Sequence, residues 1–160
     1  ETATGNVRWS YDIKQDGKQL SFHGDPLVLG DGILIGTDHS CEPGGIGHVY
    51  AFEAATGKVR WKHRSANVPT DIVQLGSNIY FGNIQDTWSS VDLQTRRVNW
   101  TFALGTPNPE CDLPRPPVAY KDRILIPGLD GIIYSLDSSS GRVRWKNTSC
   151  GSVDCDGRSR

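Results

Sequence analysis

The feature that most limits the fold of this chain is a nine-residue segment that occurs four times. The copies read ETATGNVRW, EAATGKVRW, DLQTRRVNW and DSSSGRVRW, and they end at Trp9, Trp61, Trp100 and Trp145. Each copy opens with an acidic residue, and in three copies a glycine stands four residues before the tryptophan. Neighbouring tryptophans are 52, 39 and 45 residues apart, which is the spacing of solenoid and propeller repeats. The chain therefore contains an internal sequence repeat.

Each full repeat contains three short apolar or alternating runs before the segment that carries the tryptophan. In the repeat that ends at Trp61, these runs are 26–29, 33–36 and 48–52, and Gly, Asp and Pro separate them. Short runs bounded by turn residues predict strands, and no window shows a clear 3.6-residue apolar period that would favour a helix. Repeated four-stranded antiparallel units of about 40 residues are typical of β-propeller blades.

The predicted fold is all-β, a β-propeller built of four-stranded antiparallel blades, with about three complete blades and one N-terminal strand from Gly5 to Asp12. The predicted parts are a partial blade at 1–12, blades at about 25–64, 70–103 and 116–146, and a polar, cysteine-containing tail at 147–160. Closed propellers have at least about four blades. The chain is therefore expected to be a piece of a longer or divided propeller, a subunit completed by further copies, or a small variant with extra strands.

The segment AFEAATGKVRW at 51–61 resembles the tryptophan-docking repeat of the quinoprotein (PQQ-type) β-propellers. That superfamily includes PQQ-dependent alcohol dehydrogenases, the outer-membrane assembly factor BamB and the lumenal sensor domains of unfolded-protein-response kinases. The resemblance implies that each repeat tryptophan packs between neighbouring blades against a tight turn. The implied structural docking residues are Trp9, Trp61, Trp100, Trp145, Gly5, Gly57 and Gly141. Catalysts and scaffolds share this repeat, so it implies the fold and not the function.

One copy departs from the repeat, because Arg96 stands in the glycine column. A turn that needs a left-handed residue suits glycine best. We therefore expect this turn to have either another geometry or a strained arginine backbone.

The charge and the apolar runs exclude two classes of partner. The chain has 17 basic and 18 acidic residues, well mixed, and a net charge of −1. Nucleic acids and anionic membrane surfaces both need a basic footprint. No apolar run approaches the roughly 20 residues that span a bilayer. The sequence therefore predicts a protein partner or further copies of the chain, with no nucleic acid and no membrane span.

The cysteines indicate the compartment. The four cysteines, all in predicted loops, are Cys41, Cys111, Cys150 and Cys155. An even number of loop cysteines favours disulfides in an extracytoplasmic protein, whether secreted, lumenal or periplasmic, although three pairings remain possible. Asn99 and Asn147 begin formal glycosylation sequons. No metal site is predicted, because the spacing of Cys150 and Cys155 is too loose for zinc and no second close pair accompanies it.

The candidate ligand or partner residues fall on one predicted face. In a four-stranded meander, the loops between the second and third strands share a face with the connections between blades, and the long segments at 37–47, 83–87 and 105–116 belong there. The resemblance implies that ligand sites of this fold lie on the same face. The candidate residues there are Asp38, His39, Glu42, Asp86, Trp88 and Asp130. The carboxylates and histidine either bind a cation or act as acid and base, or they cap turns in a solvated loop, and Trp88 either contacts a ligand or packs in the core.

The sequence predicts a non-catalytic extracytoplasmic propeller module that binds a protein or peptide partner, or completes a larger propeller assembly, and that needs no cofactor. No catalytic residue is assigned, because no nucleophile elbow, Walker loop, zinc-protease motif or dinucleotide fingerprint is present. The resembling dehydrogenases use adjacent cysteines above their quinone, and this chain has no adjacent pair. One alternative is a fragment or subunit of a PQQ-dependent oxidoreductase, with PQQ and calcium and with Asp38, Glu42 and Asp130 as calcium or base residues. A second alternative is a carbohydrate-binding propeller that uses Trp88.

Overall fold

The computed structural model describes residues 4–16, 20–38, 45–66, 70–106, 108 and 114–147. Within these ranges the chain forms twelve β-strands, one short 3-10 helix and no α-helix. The strands make three four-stranded antiparallel sheets, and the strands of each sheet follow one another in chain order. The all-β fold class and the four-stranded blades predicted from the repeat are therefore confirmed. No helix in the described ranges is long and apolar enough to cross a membrane.

The chain divides into two compact units, Glu1–Ile72 and Val73–Arg160. The first unit contains the 3-10 helix, Ile13–Gln15, and the first sheet. The strands of this sheet are β1 (Ser21–Leu29), β2 (Gly32–Asp38), β3 (Ile46–Glu53) and β4 (Val59–Ala66). The second unit contains the second and third sheets. Their strands are β5 (Val73–Leu75), β6 (Asn78–Gly82), β7 (Thr87–Asp92), β8 (Val98–Ala103), β9 (Val118–Tyr120), β10 (Arg123–Pro127), β11 (Ile133–Asp137) and β12 (Val143–Asn147).

The core of the second unit lies between its two sheets. Tyr80, Trp88 and Trp100 of the second sheet form one buried cluster with apolar side chains of the third. These third-sheet residues are Ile124, Ile126, Tyr134 and Leu136. They recur at every second position of β10 and β11, because alternate residues of a strand point to the same face of the sheet. One face of the third sheet is therefore covered by the second sheet.

The core of the first unit is aromatic and includes residues that precede the first strand. Tyr50 and Phe52 of β3 are buried with Ile13 of the 3-10 helix, and Tyr11 and Phe22 pack against them. The Tyr11 and Phe52 rings meet edge to face, with centroids 5.0 Å apart. The N-terminal segment thus packs on the first sheet through its side chains.

The N-terminal strand expected from Gly5 to Asp12 is not part of any described sheet. A strand is defined by its hydrogen-bonded partner. Among the described residues, no strand pairs with this segment. Its sequence resembles the fourth strand of a repeat, but the chain offers it no neighbouring strand within the described ranges.

In each of the three described sheets, the acidic residue of the repeat shapes the turn before the tryptophan. The backbone N–H donates to the carbonyl of the acidic residue four positions earlier at Gly57, Arg96 and Gly141, with distances of 2.9, 2.8 and 2.9 Å. In the second sheet, Asp92 also accepts from the backbone N–H groups of Gln94 and Thr95, at 3.0 and 2.6 Å. The turn therefore keeps its hydrogen bonds where arginine replaces glycine.

Arg96 has a φ of +61°, in the left-handed region occupied by Gly57 and Gly141 at +73° and +70°. Of the two conformations expected for this turn, the structure shows the strained arginine backbone. A left-handed conformation costs an L-residue about 1–2 kcal/mol.

We expect Arg96→Gly to raise the free energy of unfolding by about 0.5–1 kcal/mol. Relief of about 1–2 kcal/mol of left-handed strain exceeds the extra unfolded-chain entropy of glycine, about 0.5–1 kcal/mol. Urea denaturation followed by circular dichroism measures the change. Arg97→Gly is the matched control, because Arg97 is exposed and is not among the residues with positive φ. Equal effects of the two substitutions would contradict the assignment of strain to Arg96.

Candidate functional site

Several predicted site residues lie outside the described residues. They are His39, Glu42, Cys41, Cys111, Cys150 and Cys155. Asp38 ends β2, next to this undescribed segment. The cation or acid–base site at Asp38, His39 and Glu42 and the disulfides therefore remain predictions. The sequon residues Asn99 and Asn147 are both exposed, on β8 and at the end of β12.

Asp86 and Trp88 are in contact, and both are buried. Asp86 is 0% exposed and Trp88 is 1% exposed. The indole N–H of Trp88 donates to Oδ1 of Asp86 at 3.2 Å, and the backbone N–H of Leu129 donates to Oδ2 at 3.2 Å. The Trp88 ring packs in the core of the second unit, so it has no exposed face on which a sugar could stack.

The loop before β7 has a specific backbone that places Asp86. The side-chain oxygen of the buried Asn83 accepts from the backbone N–H groups of Gln85 and Thr87, at 3.0 and 3.2 Å. Asp86 has a φ of +52°, a conformation that Asp and Asn tolerate better than most residues. Its own carbonyl accepts from the backbone N–H of Leu104 at 2.9 Å. Asp86 is therefore fixed through both its side chain and its backbone.

Asp130 is exposed and folds back over its own turn, between β10 and β11. Its carboxylate accepts from the hydroxyl of Tyr134 at 2.6 Å and from the backbone N–H of Ile132 at 3.0 Å. The bond to Asp130, followed by burial and by the charges of Asp130 and Asp86, raises the pKa of Tyr134 to about 12. Tyr134 therefore holds its proton at neutral pH.

These four residues, Asp86, Trp88, Asp130 and Tyr134, are called the Asp86 cluster below. The structure brings both predicted carboxylates toward Tyr134, which the sequence analysis did not single out. The sequence feature that could have indicated Tyr134 is its position, four residues after Asp130 across a turn that contains glycine. Among the described residues, no group of three or more His, Cys, Asp or Glu side chains could hold a metal ion. The cluster joins the β6–β7 loop to the β10–β11 loop.

A second polar cluster, in the first unit, was not expected from the sequence. Nζ of Lys62 lies 2.7 Å from Oδ1 of Asp16, and 4.6 Å from the centre of the Tyr50 ring. The Tyr50 hydroxyl donates to Oδ2 of Asp16 at 2.9 Å, and the Tyr11 hydroxyl donates to the same oxygen. The bond from Lys62, followed by that from Tyr11, lowers the pKa of the Asp16 carboxyl. This Asp16 cluster ties the N-terminal segment to β3 and β4.

Two repeat tryptophans lie on the glycine turns of sheets within their own unit. The indole N–H of Trp9 donates to the carbonyl of Ala54 at 2.8 Å, and that of Trp100 donates to the carbonyl of Ser138 at 2.9 Å. A Cβ added at Gly57 would lie under 3.0 Å from the Trp9 ring, and one added at Gly141 would lie under 3.0 Å from the Trp100 ring. Both turns therefore exclude side chains.

The other repeat positions differ in their surroundings. Trp61 lies on β4 opposite Ala51 and is partly buried. A Cβ added at Gly5 would meet no atom within 4 Å. Trp145 lies on β12 opposite Ser135. The pairing is the same as that of Trp100 with Ser90 on the second sheet, but Trp145 is 42% exposed and Trp100 is 9% exposed.

The face of the third sheet that points away from the second sheet has four large exposed apolar side chains, and Arg123, Ser135 and Asp137 lie on the same face. Its exposed large side chains are Val118, Tyr120, Ile133 and Trp145, which are 56, 52, 47 and 42% exposed. We call these four residues the third-sheet face. Val118 and Trp145 lie in one cross-strand row with Leu125 and the buried Ser135. The matching row of the second sheet joins Val73, Tyr80, Ser90 and Trp100, and that row packs against the third sheet.

We expect acid to loosen the N-terminal segment. The pKa of Asp16 is lowered, so its stabilising contribution is complete above about pH 4, the ordinary carboxyl pKa, and is lost as the pH falls below that value. The measurement is the protection of the Trp9 indole N–H against hydrogen exchange, by NMR, and it should decrease in acid.

Asp16→Asn is the control for this prediction, because it should lower the protection at neutral pH and remove the part of the pH dependence that belongs to Asp16. The pKa of His48 is itself lowered, by burial first and then by Lys62 and Arg64, and His48 titrates in both proteins. An unchanged pH dependence in Asp16→Asn would assign the effect to another group.

Comparison with known proteins finds relatives over most of the chain. Residues 1–153 match the family described as outer membrane protein assembly factor BamB. The dehydrogenase subunit of an alcohol dehydrogenase (quinone) from Gluconacetobacter polyoxogenes is 25% identical over 171 residues. This alignment covers 89% of the chain and only 21% of that protein.

Solved structures share the fold. BamB from Moraxella catarrhalis superposes with a TM-score of 0.62 and 22% identity, over 79% of this chain and 36% of that one. A europium-containing methanol dehydrogenase gives a TM-score of 0.69 and 17% identity, over 94% of this chain and 29% of that one. The computationally designed Ika4 protein gives 0.64 and 12%, over 84% of this chain and 76% of that one. At these identities the likeness concerns the fold alone.

Proposed function

Because this chain belongs to the family of the outer membrane protein assembly factor BamB, we propose that it is a non-catalytic β-propeller module that binds a protein partner or completes a larger propeller assembly. The compartment in this proposal is extracytoplasmic. The family description, which refers to the outer membrane, supports it, and two disulfides among the four cysteines would suit it.

The third-sheet face is the observation that carries this proposal. Four large apolar side chains are exposed on one face of the third sheet, and exposed apolar surface of this kind marks interaction sites. The second sheet shows what such a face contacts, because its equivalent row is covered by Ile124, Ile126, Tyr134 and Leu136 of the next sheet. We therefore infer that the partner presents a β-sheet with apolar side chains to the third-sheet face.

The described candidate carboxylates support a binding role over a catalytic one. Asp86 is buried and accepts from Trp88 and Leu129. Asp130 accepts from Tyr134 and Ile132. Both carboxylates thus have internal partners that hold the loops of the second unit in place.

The alternative function is a piece of a PQQ-dependent oxidoreductase, which the match to the quinone alcohol dehydrogenase subunit favours. It would need PQQ and calcium, with Asp38, Glu42 and Asp130 as the candidate residues. Of these three, only the Asp130 side chain is described, and its carboxylate bonds to Tyr134 and to its own turn. The described residues do not form a calcium-binding set.

Two experiments test the proposal. A photo-crosslinking amino acid placed at Tyr120 should join the protein to a partner polypeptide in an extract of the source cells, and Trp145→Asp should abolish the product. The exposed Gln94, on a turn of the second sheet, is the matched control position. Equal products at Tyr120 and Gln94 would refute binding at this face.

The second experiment is a titration of the protein with PQQ and calcium. The visible absorbance should stay that of free PQQ, whereas the spectrum of bound PQQ would support the oxidoreductase.

A further inference from the structure

We propose that the N-terminal segment of this protein blocks a docking turn that can otherwise receive Trp145 of a second copy. The segment is residues 4–16, called the N-terminal strap, and the turn is residues 53–58 of the first sheet, called the first-sheet turn. This inference rests on the proposed function in one respect, namely that the third-sheet face binds protein. It adds the occupant, a second copy of the chain, and a contact within one copy that prevents the association.

The Trp9 side chain of the strap packs on the first-sheet turn. The Trp9 indole N–H donates to the carbonyl of Ala54 at 2.8 Å, and its ring lies where a side chain at residue 57 would otherwise project. The same ring stacks on Phe52, with centroids 6.0 Å apart. Gly57 has a φ of +73°, so the turn is suited to glycine and leaves a flat surface for a ring.

The third sheet shows how a strand tryptophan occupies such a turn. Trp100 of β8 donates to the carbonyl of Ser138 at 2.9 Å, over Gly141. In both turns the accepting carbonyl belongs to the residue three positions before the glycine. A tryptophan on the fourth strand of a sheet is therefore chemically matched to the turn that Trp9 now occupies.

Trp145 has the strand position that this contact needs. It pairs with Ser135 in the same register in which Trp100 pairs with Ser90, and it is 42% exposed. The acceptor turn and the donor strand are different surfaces of the chain, so the contact between copies is head to tail. Such heterologous contacts generate rings or open filaments.

The Trp9 end of the strap can be displaced, because residues 4–10 belong to no sheet among the described residues, while Tyr11 and Ile13 stay packed in the core of the first unit. Val7 is 81% exposed, so one side of the strap faces solvent. The strap also depends on Asp16, whose carboxylate bonds to Lys62 and Tyr50. Release of Trp9 therefore opens the first-sheet turn without removing a strand from its sheet, and loss of the Asp16 contacts weakens the attachment of the strap.

The strap prevents association of two copies because Trp9 is tethered close to the first-sheet turn and so has a high local concentration there. A tethered segment competes at an effective concentration of about a millimolar, and a second copy at micromolar concentration is roughly a thousandfold more dilute. The wild-type protein is therefore expected to be monomeric in the micromolar range. Trp9→Ala removes the competing ring and leaves Ala54 and Gly57 free to accept Trp145.

The experiment is sedimentation equilibrium of the purified chain over a micromolar concentration series. Trp9→Ala should increase the association constant by at least about tenfold, because the tethered competitor is removed. The double variant Trp9→Ala/Trp145→Ala should return to the monomer. Gly57→Ala should also be monomeric, because its new Cβ expels Trp9 and equally excludes Trp145. Circular dichroism of each variant checks that the sheets are folded, and Asp16→Asn provides a second, milder release of the strap.

Three results would overturn the inference: a monomeric Trp9→Ala, an association that persists in the double variant, or a wild-type protein that already associates through Trp145. These results are separate from the test of the proposed function. If Tyr120 cross-links to a partner and Trp9→Ala stays monomeric, only the blocked self-association is refuted. If Tyr120 and Gln94 give equal products while Trp9→Ala associates through Trp145, the face serves copies of this chain and no other protein.

Discussion

Trp100→Ala lowers the free energy of unfolding by about 3–5 kcal/mol, as expected for a buried tryptophan, whereas Trp145→Ala lowers it by less than about 1 kcal/mol. The two tryptophans occupy equivalent positions, opposite Ser90 and Ser135. Trp100 is 9% exposed in the core of the second unit, and Trp145 is 42% exposed. The comparison therefore separates the effect of burial from the effect of the residue type. Urea denaturation followed by far-ultraviolet circular dichroism measures both changes.

Trp100→Phe separates the hydrogen bond from the packing. Phenylalanine keeps an aromatic ring over Gly141 but cannot donate to the carbonyl of Ser138. The expected loss is about 1–3 kcal/mol, which combines the missing bond with a small unfilled volume. If Trp100→Ala and Trp145→Ala destabilised the protein equally, the third sheet would not cover the second in solution.

Asp86→Ala lowers the free energy of unfolding by about 3–5 kcal/mol. The substitution leaves the buried N–H of Trp88 and the part-buried N–H of Leu129 without an acceptor, and a buried donor left unsatisfied costs about 1–3 kcal/mol. Alanine must also adopt the φ of +52° that Asp86 has, which costs about 1 kcal/mol more than for a residue that tolerates this region. The measurement is again urea denaturation.

Asp86→Asn is the conservative variant for this prediction. Asparagine tolerates the left-handed backbone and keeps one side-chain oxygen as an acceptor, so the expected loss is smaller, about 1–2 kcal/mol. Asp130→Asn is the exposed control, and a surface change of this kind costs less than Asp86→Ala. An Asp86→Ala protein as stable as Asp130→Asn would show that the two N–H donors find water instead.

The strands could be predicted from the sequence because their determinants are local. The run 48–52 predicted one strand of the first sheet, and the observed strand is Ile46–Glu53. Alternating apolar residues and turn residues between them act within a few positions of the chain. The segment from Gly5 to Asp12 has similar local features but joins no described sheet, because strand pairing depends on a partner that is distant in sequence.

The polar clusters were harder to predict for the same reason. Asp86 was expected in a ligand-facing loop, but a ring from β7 and a backbone N–H from the β10–β11 loop enclose it. The Asp16 cluster joins residues that are 46 positions apart, and neither Asp16 nor Lys62 belongs to a motif. Tertiary packing decides which polar residues become buried, and a single sequence contains little information about it.

The uneven exposure of the tryptophans gives the protein a built-in optical reporter. Trp88 and Trp100 are 1% and 9% exposed, whereas Trp145 is 42% exposed. Soluble quenchers such as iodide should therefore reach Trp145 far more readily than the two buried rings, and they should reach the partly buried Trp9 and Trp61 to an intermediate extent. Any molecule that covers the third-sheet face should shift the emission to shorter wavelength and reduce the quenching, so that occupancy of this face can be followed without an added label.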